Sequence, residues 1–475
     1  MLTRDRLLLC FVLPGVALSA DWPRFRGPNG SGVAEARGLP AEFGPKKNVV
    51  WKTALPPGHS SPVLSGDRIF VTASENDKLV TIALDRFTGK ILWRGEIARA
   101  RKDRHHDNNN PASPSVAADS ENVYAFFADY GMVSYTAAGK ERWRAPLGPF
   151  RSFHGMGASP VLVGRTLLVN CDQDVGSFLV ALDTATGKER WRRDRTDHPG
   201  NGYSTPLVND SGDQVIVLGP NQMTAYSIAT GEPIWWFSGL PRQPKGSPIL
   251  TRDPDGKPLI VVSVQTGGDE QGGPGRFPPW KQVLPMLDTN KDGKVTKEDL
   301  TGQLAGFIEP FTQADSNGDG ELSESEWAAY INNPSNTLLA FRPEGRGDLS
   351  SKVLWRLAKG IPNVPSPLVY QNVLYIIKEG GVLTSLNPLT GEVLKQGRVT
   401  GALDAYFASP VAADGKLYLT SHEGHLAVLK AGAQWEILGV NNMDEECFAT
   451  PALDDGRIYV RTRTTLYCFG TTPAP

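Results

Sequence analysis

The feature that most narrows the fold is a Ser-Pro or Thr-Pro step that opens each of eight successive units. The steps are Ser61-Pro62, Ser113-Pro114, Ser159-Pro160, Thr205-Pro206, Ser247-Pro248, Ser366-Pro367, Ser409-Pro410 and Thr450-Pro451. Their prolines lie 52, 46, 46, 42, 119, 43 and 41 residues apart. A period of about 40–45 residues marks units that bury their apolar faces only against one another. The stretch from Ala158 to Trp191 shows the inside of a unit: A-S-P-V-L-V, T-L-L-V-N-C, S-F-L-V-A-L-D and T-A-T-G-K-E-R-W. These are four short β-branched and aliphatic runs separated by turn residues, the pattern of a propeller blade. The sequence therefore predicts an all-β chain, an eight-bladed β-propeller of four-stranded antiparallel blades.

The outer end of each unit repeats as well. A glycine turn leads into a strand that reaches tryptophan at Thr88-Gly89 to Trp93, Ala138-Gly139 to Trp143, Thr186-Gly187 to Trp191 and Thr230-Gly231 to Trp235. Trp355 and Trp435 end the fifth and seventh units, while the sixth has Lys395 in that place. One indole per blade predicts packing between blades rather than a cofactor cage. The eighth unit stops after Thr465-Leu466-Tyr467-Cys468. Asn48-Val49-Val50-Trp51-Lys52, at the other end of the chain, is expected to supply its last strand and close the ring, which removes open sheet edges.

Arg4 and Arg6, the apolar run Leu7–Leu18 and the small pair Ser19-Ala20 read as a secretory signal over residues 1–20. The run is too short to span a bilayer, and no other stretch is long and apolar enough. Leu9 before Cys10 argues against lipidation. The mature protein is thus expected to be secreted or periplasmic, without a transmembrane anchor. It keeps Cys171, Cys447 and Cys468, which permit one disulfide but read as buried strand cysteines. A formal net charge of −2 argues against a nucleic-acid partner.

The 119-residue interval holds about 76 extra residues, and residues 267–335 change character. They carry two acidic twelve-residue loops, Asp288–Asp299 and Asp315–Glu326. Calcium needs six to eight hard oxygens, and an EF-hand loop presents them at fixed positions around a sharp glycine turn. The predicted ligands are Asp288, Asn290, Asp292, Lys294 (by its carbonyl), Thr296 and Asp299 in the first loop. In the second they are Asp315, Asn317, Asp319, Glu321 (by its carbonyl), Ser323 and Glu326, with Gly293 and Gly320 at the turns. Asp299 is one methylene shorter than Glu326, so the first loop is expected to bind more weakly. Val295 and Leu322 are expected to join the two loops by a short β bridge. The insert divides the propeller into residues 21–266 and 336–475. It falls between the second and third strands of blade five, on the face where successive blades connect, beside the mouth of the central channel.

Repeats of the form S-P…L-D-x-x-T-G-K-x-x-W resemble those of the PQQ-like propeller superfamily, which includes quinoprotein dehydrogenases and BamB-type assembly proteins. Asp21-Trp22-Pro23-Arg24-Phe25-Arg26-Gly27-Pro28 is similar to the start of secreted members. The resemblance implies the fold and leaves two activities open, because the fold hosts enzymes and scaffolds alike. The loops entering each unit are polar, and His59, Asn110, His154, Asn201, Lys245, Asn363, Asp404 and Glu445 are the candidate funnel ligands. A quinone enzyme would hold PQQ with calcium at its acidic edge and use Asp404, Asp444 or Glu445 as base, with Lys245 or His154 on the quinone. The adjacent cysteine pair of many alcohol-oxidising quinoproteins is absent, as is a haem motif. His59 beside Ser60 and Ser61 does not predict a triad, and His105, His106 and His154 lack a known metal-ligand spacing. The sequence reading is a calcium-binding, non-enzymatic scaffold for a protein or small-molecule partner, with a PQQ-dependent dehydrogenase as the alternative.

Overall fold

The structure, a computed structural model, describes residues 21–99, 101–195, 200–266, 277–315, 319–332 and 336–471. The leader and Asn317 fall outside them. Among the described residues the strands form eight sheets, each containing the four antiparallel strands of one propeller blade. Blade one runs from Val63 to Ala98 and blade three from Val161 to Asp194. Blade eight combines Ala452–Asp454, Arg457–Arg461 and Thr465–Gly470 with Val49–Ala54 from the start of the chain. Trp51 pairs with Cys468 and Thr53 with Leu466, so the two ends of the chain close the ring. Blade four gains a fifth strand, because Gly347–Asp348 from blade five runs parallel to Trp235 and Trp236 on its outer edge.

What holds the blades at the axis is a cycle of hydrogen bonds. The N–H of Ser61 donates to Ser115 Oγ, Ser115 to Ser159, Ser159 to Thr205 and Thr205 to Ser247. Ser247 donates to Ser366, Ser366 to Ser409, Ser409 to Thr450, and Thr450 returns to Ser61. All eight bonds measure 2.9–3.0 Å. In the second blade the member is Ser115, followed by valine, and not the Ser113-Pro114 step. Proline is therefore dispensable here and the hydroxyl is not.

The outer tryptophans pack as the repeat implies. Five indoles lie on the turn glycine of the next blade and donate their N–H to a carbonyl there: Trp51 to Arg86, Trp93 to Ala137, Trp143 to Thr184, Trp191 to Ile228 and Trp355 to Pro388; Trp235 departs from this and donates to Gln214 Oε1 of its own blade at 3.1 Å. A Cβ at Gly139, Gly187, Gly231 or Gly391 would sit 2.5–2.6 Å from the ring, so only glycine admits the contact. Trp435 departs from expectation. It precedes the outer strand of blade seven, and its ring lies 4.1 Å from Lys395 Nζ, filling from the neighbouring blade the place where blade six lacks an indole.

The opening segment forms a strap under the ring. Trp22 bridges Leu64 of blade one, Pro23 accepts from Ala118 of blade two, and Asn29 bonds both ways to Val208 of blade four. Arg26 reaches Pro367 O in blade six at 2.7 Å, and Gly32 and Ala34 bridge Ala412 in blade seven. Phe25, on this strap, lines the axial cavity from the strap side. Cys171 and Cys468 are buried in strands and Cys447 in a buried loop; all three are free thiols, so no disulfide joins them.

Removing one hydroxyl of the axial cycle strands a buried N–H. Ser366→Ala should lower unfolding stability by about 1–3 kcal/mol, measured by urea denaturation, because the Ser247 amide loses its acceptor. Ser113→Ala should cost clearly less, since Ser113 Oγ accepts only from Asn110 N, which also has Asn109 Oδ1 at 2.8 Å.

Candidate functional site: a closed-bottomed funnel flanked by paired acidic loops

Side chains two residues apart on an extended segment point the same way. The residues two before each axial hydroxyl therefore make a second tier above it: His59, Ser113, Gly157, Tyr203, Lys245, Val364, Phe407 and Phe448. With the hydroxyl tier they line a cavity of about 330 Å3, floored by Phe25 and roofed by His106, Asn108, Asn109, His154 and Asn363. The size is at the lower end of small-molecule sites.

The upper tier has two unlike sectors. On one side His59 stacks on Phe448 at 3.9 Å and Phe448 stacks on Phe407 at 5.5 Å, with His422 edge-on to both. On the other, His154 meets Tyr203 and His106 at 5.6 and 5.4 Å, and Lys245 Nζ donates to Asn363 Oδ1 at 2.7 Å. Among the described residues the lining contains no carboxylate.

Buried cations set the electrostatics. Arg26 and Arg461 are wholly buried, and both bond to backbone or hydroxyl oxygens. Neither has a carboxylate within ion-pair distance among the described residues, and burial lowers each to about 9. They remain charged at neutral pH. Burial first, then the nearby Arg461, pushes His59 down to about 3. Burial, then Lys245, pushes His154 down to about 4. Both imidazoles are therefore neutral at pH 7.

Of the funnel candidates read from sequence, His59, His154, Lys245 and Asn363 line the cavity. Asn110, Asn201, Asp404 and Glu445 do not. Asn110 folds its own turn by accepting from Ala112 N, and Asn201 donates to Asp174. Asp404 holds Ser421 Oγ at 2.5 Å and His425 Nδ1 at 2.7 Å. Glu445 is taken up by Thr462 and Thr464. Phe407, Phe448, Tyr203 and the hydroxyl tier were missed, although the recurrent F-A-S-P and F-A-T-P steps at 407–410 and 448–451 signal them.

The calcium-bound quinone of the PQQ-like enzymes needs metal-binding oxygens and a carboxylate base in the funnel. Asp404 and Glu445 are committed elsewhere, Asp444 is exposed on a turn, and no described carboxylate faces the cavity. The funnel does not fit that group. His59 packs on Phe448 while Ser60 Oγ binds the Thr72 backbone and Arg461, so no nucleophile–base pair forms there.

The insert lies between Pro258–Gln265 and Asn336–Phe341, the second and third strands of blade five. Helices Trp280–Leu287, Ile308–Ala314 and Glu324–Asn332 pack around Val283, Leu287, Val295, Phe311, Leu322 and Trp327. Leu322 N donates to Val295 O at 2.9 Å, joining the loops. Arg242, on the link from blade four to blade five, lies 4.7 Å from the Tyr330 ring and seats the insert on the mouth face.

The loops use their carboxylates differently. Asp288 accepts from Asp292 N and Gly293 N, and Asp315 from Gly320 N, so both loops curl around their first residue. Glu326 accepts from Ser323 N and Oγ with one oxygen, Oε2. Asp299 is buried, and its two oxygens take five hydrogen bonds from Thr289, Asn290 and Thr296. Lys294 and Glu321 pair across the loops at 2.5 Å, leaving their carbonyls as the donors. The hard-oxygen set and the positive-φ glycines, Gly293 (φ 86°) and Gly320 (φ 85°), suit calcium. Among the described residues no three acidic, histidine or cysteine side chains converge as a metal cluster.

A family model described as outer membrane protein assembly factor BamB matches residues 44–156, 133–269 and 347–471, more than half of the chain. An EF-hand model matches residues 281–302 and 308–331. BamB of Burkholderia pseudomallei is 26% identical over 52% of this chain and 62% of its own length. A polyvinylalcohol dehydrogenase of a Pseudomonas species is 24% identical over 50% of this chain and 47% of its own. The chain thus spans about half the length of the curated relatives it matches. Among solved structures, a europium-containing methanol dehydrogenase superposes with TM-score 0.61 at 11% identity, covering 95% of this chain and 98% of that one. BamB of Moraxella catarrhalis superposes with TM-score 0.52 at 11% identity, covering 89% and 99%. These structural likenesses show the fold. No helix among the described residues is long and apolar enough to cross a membrane.

Between about pH 6.5 and 4 the unfolded chain protonates His59 and His154 while the folded one leaves them neutral. Stability is therefore full above about pH 6.5 and falls as pH drops through that window. The melting temperature should decline from pH 6.5 to 5, above the carboxylate range, and His59→Asn with His154→Asn should flatten the slope.

Proposed function

The chain belongs to the repeat family described as outer membrane protein assembly factor BamB, and from that premise we propose that it is a secreted or periplasmic, calcium-binding, non-enzymatic binding module. Its ligand or partner is taken on the face that carries the funnel and the paired acidic loops. The observation that carries this reading is the funnel lining, which has hydroxyl, imidazole, amide, ammonium and aromatic groups and no described carboxylate. Such a surface binds and orients; its imidazoles, His59 and His154, are held as weak bases, and it offers no described carboxylate to remove a proton or hold a metal. The dehydrogenases among the relatives keep an enzymatic reading in view, and the lining is what argues against it here.

In this reading calcium is structural. It would be held by Asp315, Asn317, Asp319, Ser323, Glu326 and the Glu321 carbonyl, and more weakly by Asp288, Asn290, Asp292, Thr296, Asp299 and the Lys294 carbonyl. The ion would neutralise the clustered acids and stiffen the insert at the funnel mouth. Binding to the folded state alone stabilises by about 2.7 kcal/mol when free calcium is 100 times its dissociation constant.

Calcium should accordingly raise the melting temperature of the chelator-treated protein. Asp315→Ala with Asp319→Ala should remove most of that rise, and Asp288→Ala should remove less. With PQQ, calcium and an artificial electron acceptor, alcohols and sugars should give no dye reduction; turnover would overturn the non-enzymatic reading.

A further inference from the structure

We propose that the funnel is a metal-independent binding site for a small ligand with a flat apolar face and an anionic group. This rests on the binding-module reading and names the class of ligand. Three independent features of the cavity converge on it.

The first is the hydroxyl tier. Each of the eight Oγ atoms spends a lone pair on the N–H of the preceding blade, and among the described residues none of the eight donates its own proton to another group. All eight side chains line the cavity. They form an annulus of donors in search of an acceptor, and a ligand oxygen satisfies them.

The second is charge. Lys245 lines the polar sector; the buried Arg461 bonds Ser60, between the lining residues His59 and Ser61, and the buried Arg26 bonds Pro367 O, next to the lining residue Ser366, neither with a described carboxylate partner. Low-dielectric walls with one sign of charge focus the potential into the cleft, here favouring an anion. His154 and His106 stand beside Lys245 on the same side and offer further polar contacts.

The third is shape. Phe407, Phe448 and His59 stack face on face on one another opposite the polar sector, so the apolar surface they give the cavity is one of ring edges, suited to edge-to-face contact with a planar ring. Phe25, on the strap, lines the cavity away from the mouth, so the ligand enters from the mouth. A ring lying against those edges can turn its substituent to Lys245 and the hydroxyls on the other side of the cavity.

The test uses the full mature chain and three probes of one shape: 2-naphthoate, 2-naphthamide and 2-naphthylmethylammonium, titrated calorimetrically. Naphthoate should bind at least tenfold more tightly than the amide, and the ammonium more weakly than either. The naphthoate affinity should be unchanged by EDTA. Lys245→Met should erase the tenfold preference and leave the amide affinity within twofold, while Lys245→Arg should keep the preference. Phe448→Ala should weaken naphthoate and amide alike, with circular dichroism confirming that each variant is folded. Equal affinity for the three probes, tighter binding of the cation, no binding of any probe, or a preference that survives Lys245→Met would overturn the proposal. A funnel that takes the amide but not naphthoate loses its anion specificity and remains a binding site. Quinone-dependent dye reduction would sink the non-enzymatic reading whatever naphthoate does.

Discussion

The propeller depends on one constraint: eight backbone N–H groups sit at its axis, out of reach of ordinary strand pairing. A buried donor without an acceptor costs about 1–3 kcal/mol, and eight together would rival the whole stability of a domain. Each blade answers for its neighbour by offering a hydroxyl, and because the eighth answers for the first, the cycle has no end. The same demand explains why alanine or glycine never takes the position. At the rim the corresponding device is the indole resting on a bare glycine, and between rim and axis the sheets bury their aliphatic strands.

This architecture decides where chemistry can occur. The axial hydroxyls are needed for closure, yet only their lone pairs are used, so their protons are left for a ligand. The strap from Trp22 to Ala34 adds Phe25 to the lining of the axial cavity, on the side away from the mouth. It also carries Arg26 into the interior, where its charge is met by carbonyls and not by a carboxylate. Fold closure and funnel electrostatics are therefore built from the same few residues. The paired acidic loops sit on the open face through Arg242 and Tyr330, and they supply the acidic groups that the cavity itself does not display.

Much of the fold was legible because repetition amplifies weak local signals. A single S-P-V-L-V run is ambiguous, but eight at nearly constant spacing are not. The chain-end strand was readable because a unit short of its last strand leaves an edge that must be covered. The candidate site was half legible. His59 and Lys245 stand two before a ring hydroxyl, the position that faces the cavity; His154, Asp404 and Glu445 all stand five before one, and there local partners decide, claiming Asp404 and Glu445 while His154 reaches the lining. Choosing by polarity found ionisable residues; choosing by register would have found Phe407 and Phe448. Ser113 misled because it keeps the Ser-Pro signature while Ser115 keeps the hydroxyl's place. Trp435 misled because a contact can be filled from either side of an interface, and sequence order does not say which.

By itself the sequence determined the blade number, the manner of closure and the place of the insert with its two acidic loops. Those follow from period and spacing, which the chain carries covalently. Only the tertiary structure decided which polar residues share a cavity, that its described lining lacks a carboxylate, and that the opening segment lends it Phe25. Those depend on side-chain direction across loops and on contacts between residues hundreds of positions apart, such as Arg26 with Pro367 and Arg461 with Ser60, which no local pattern encodes.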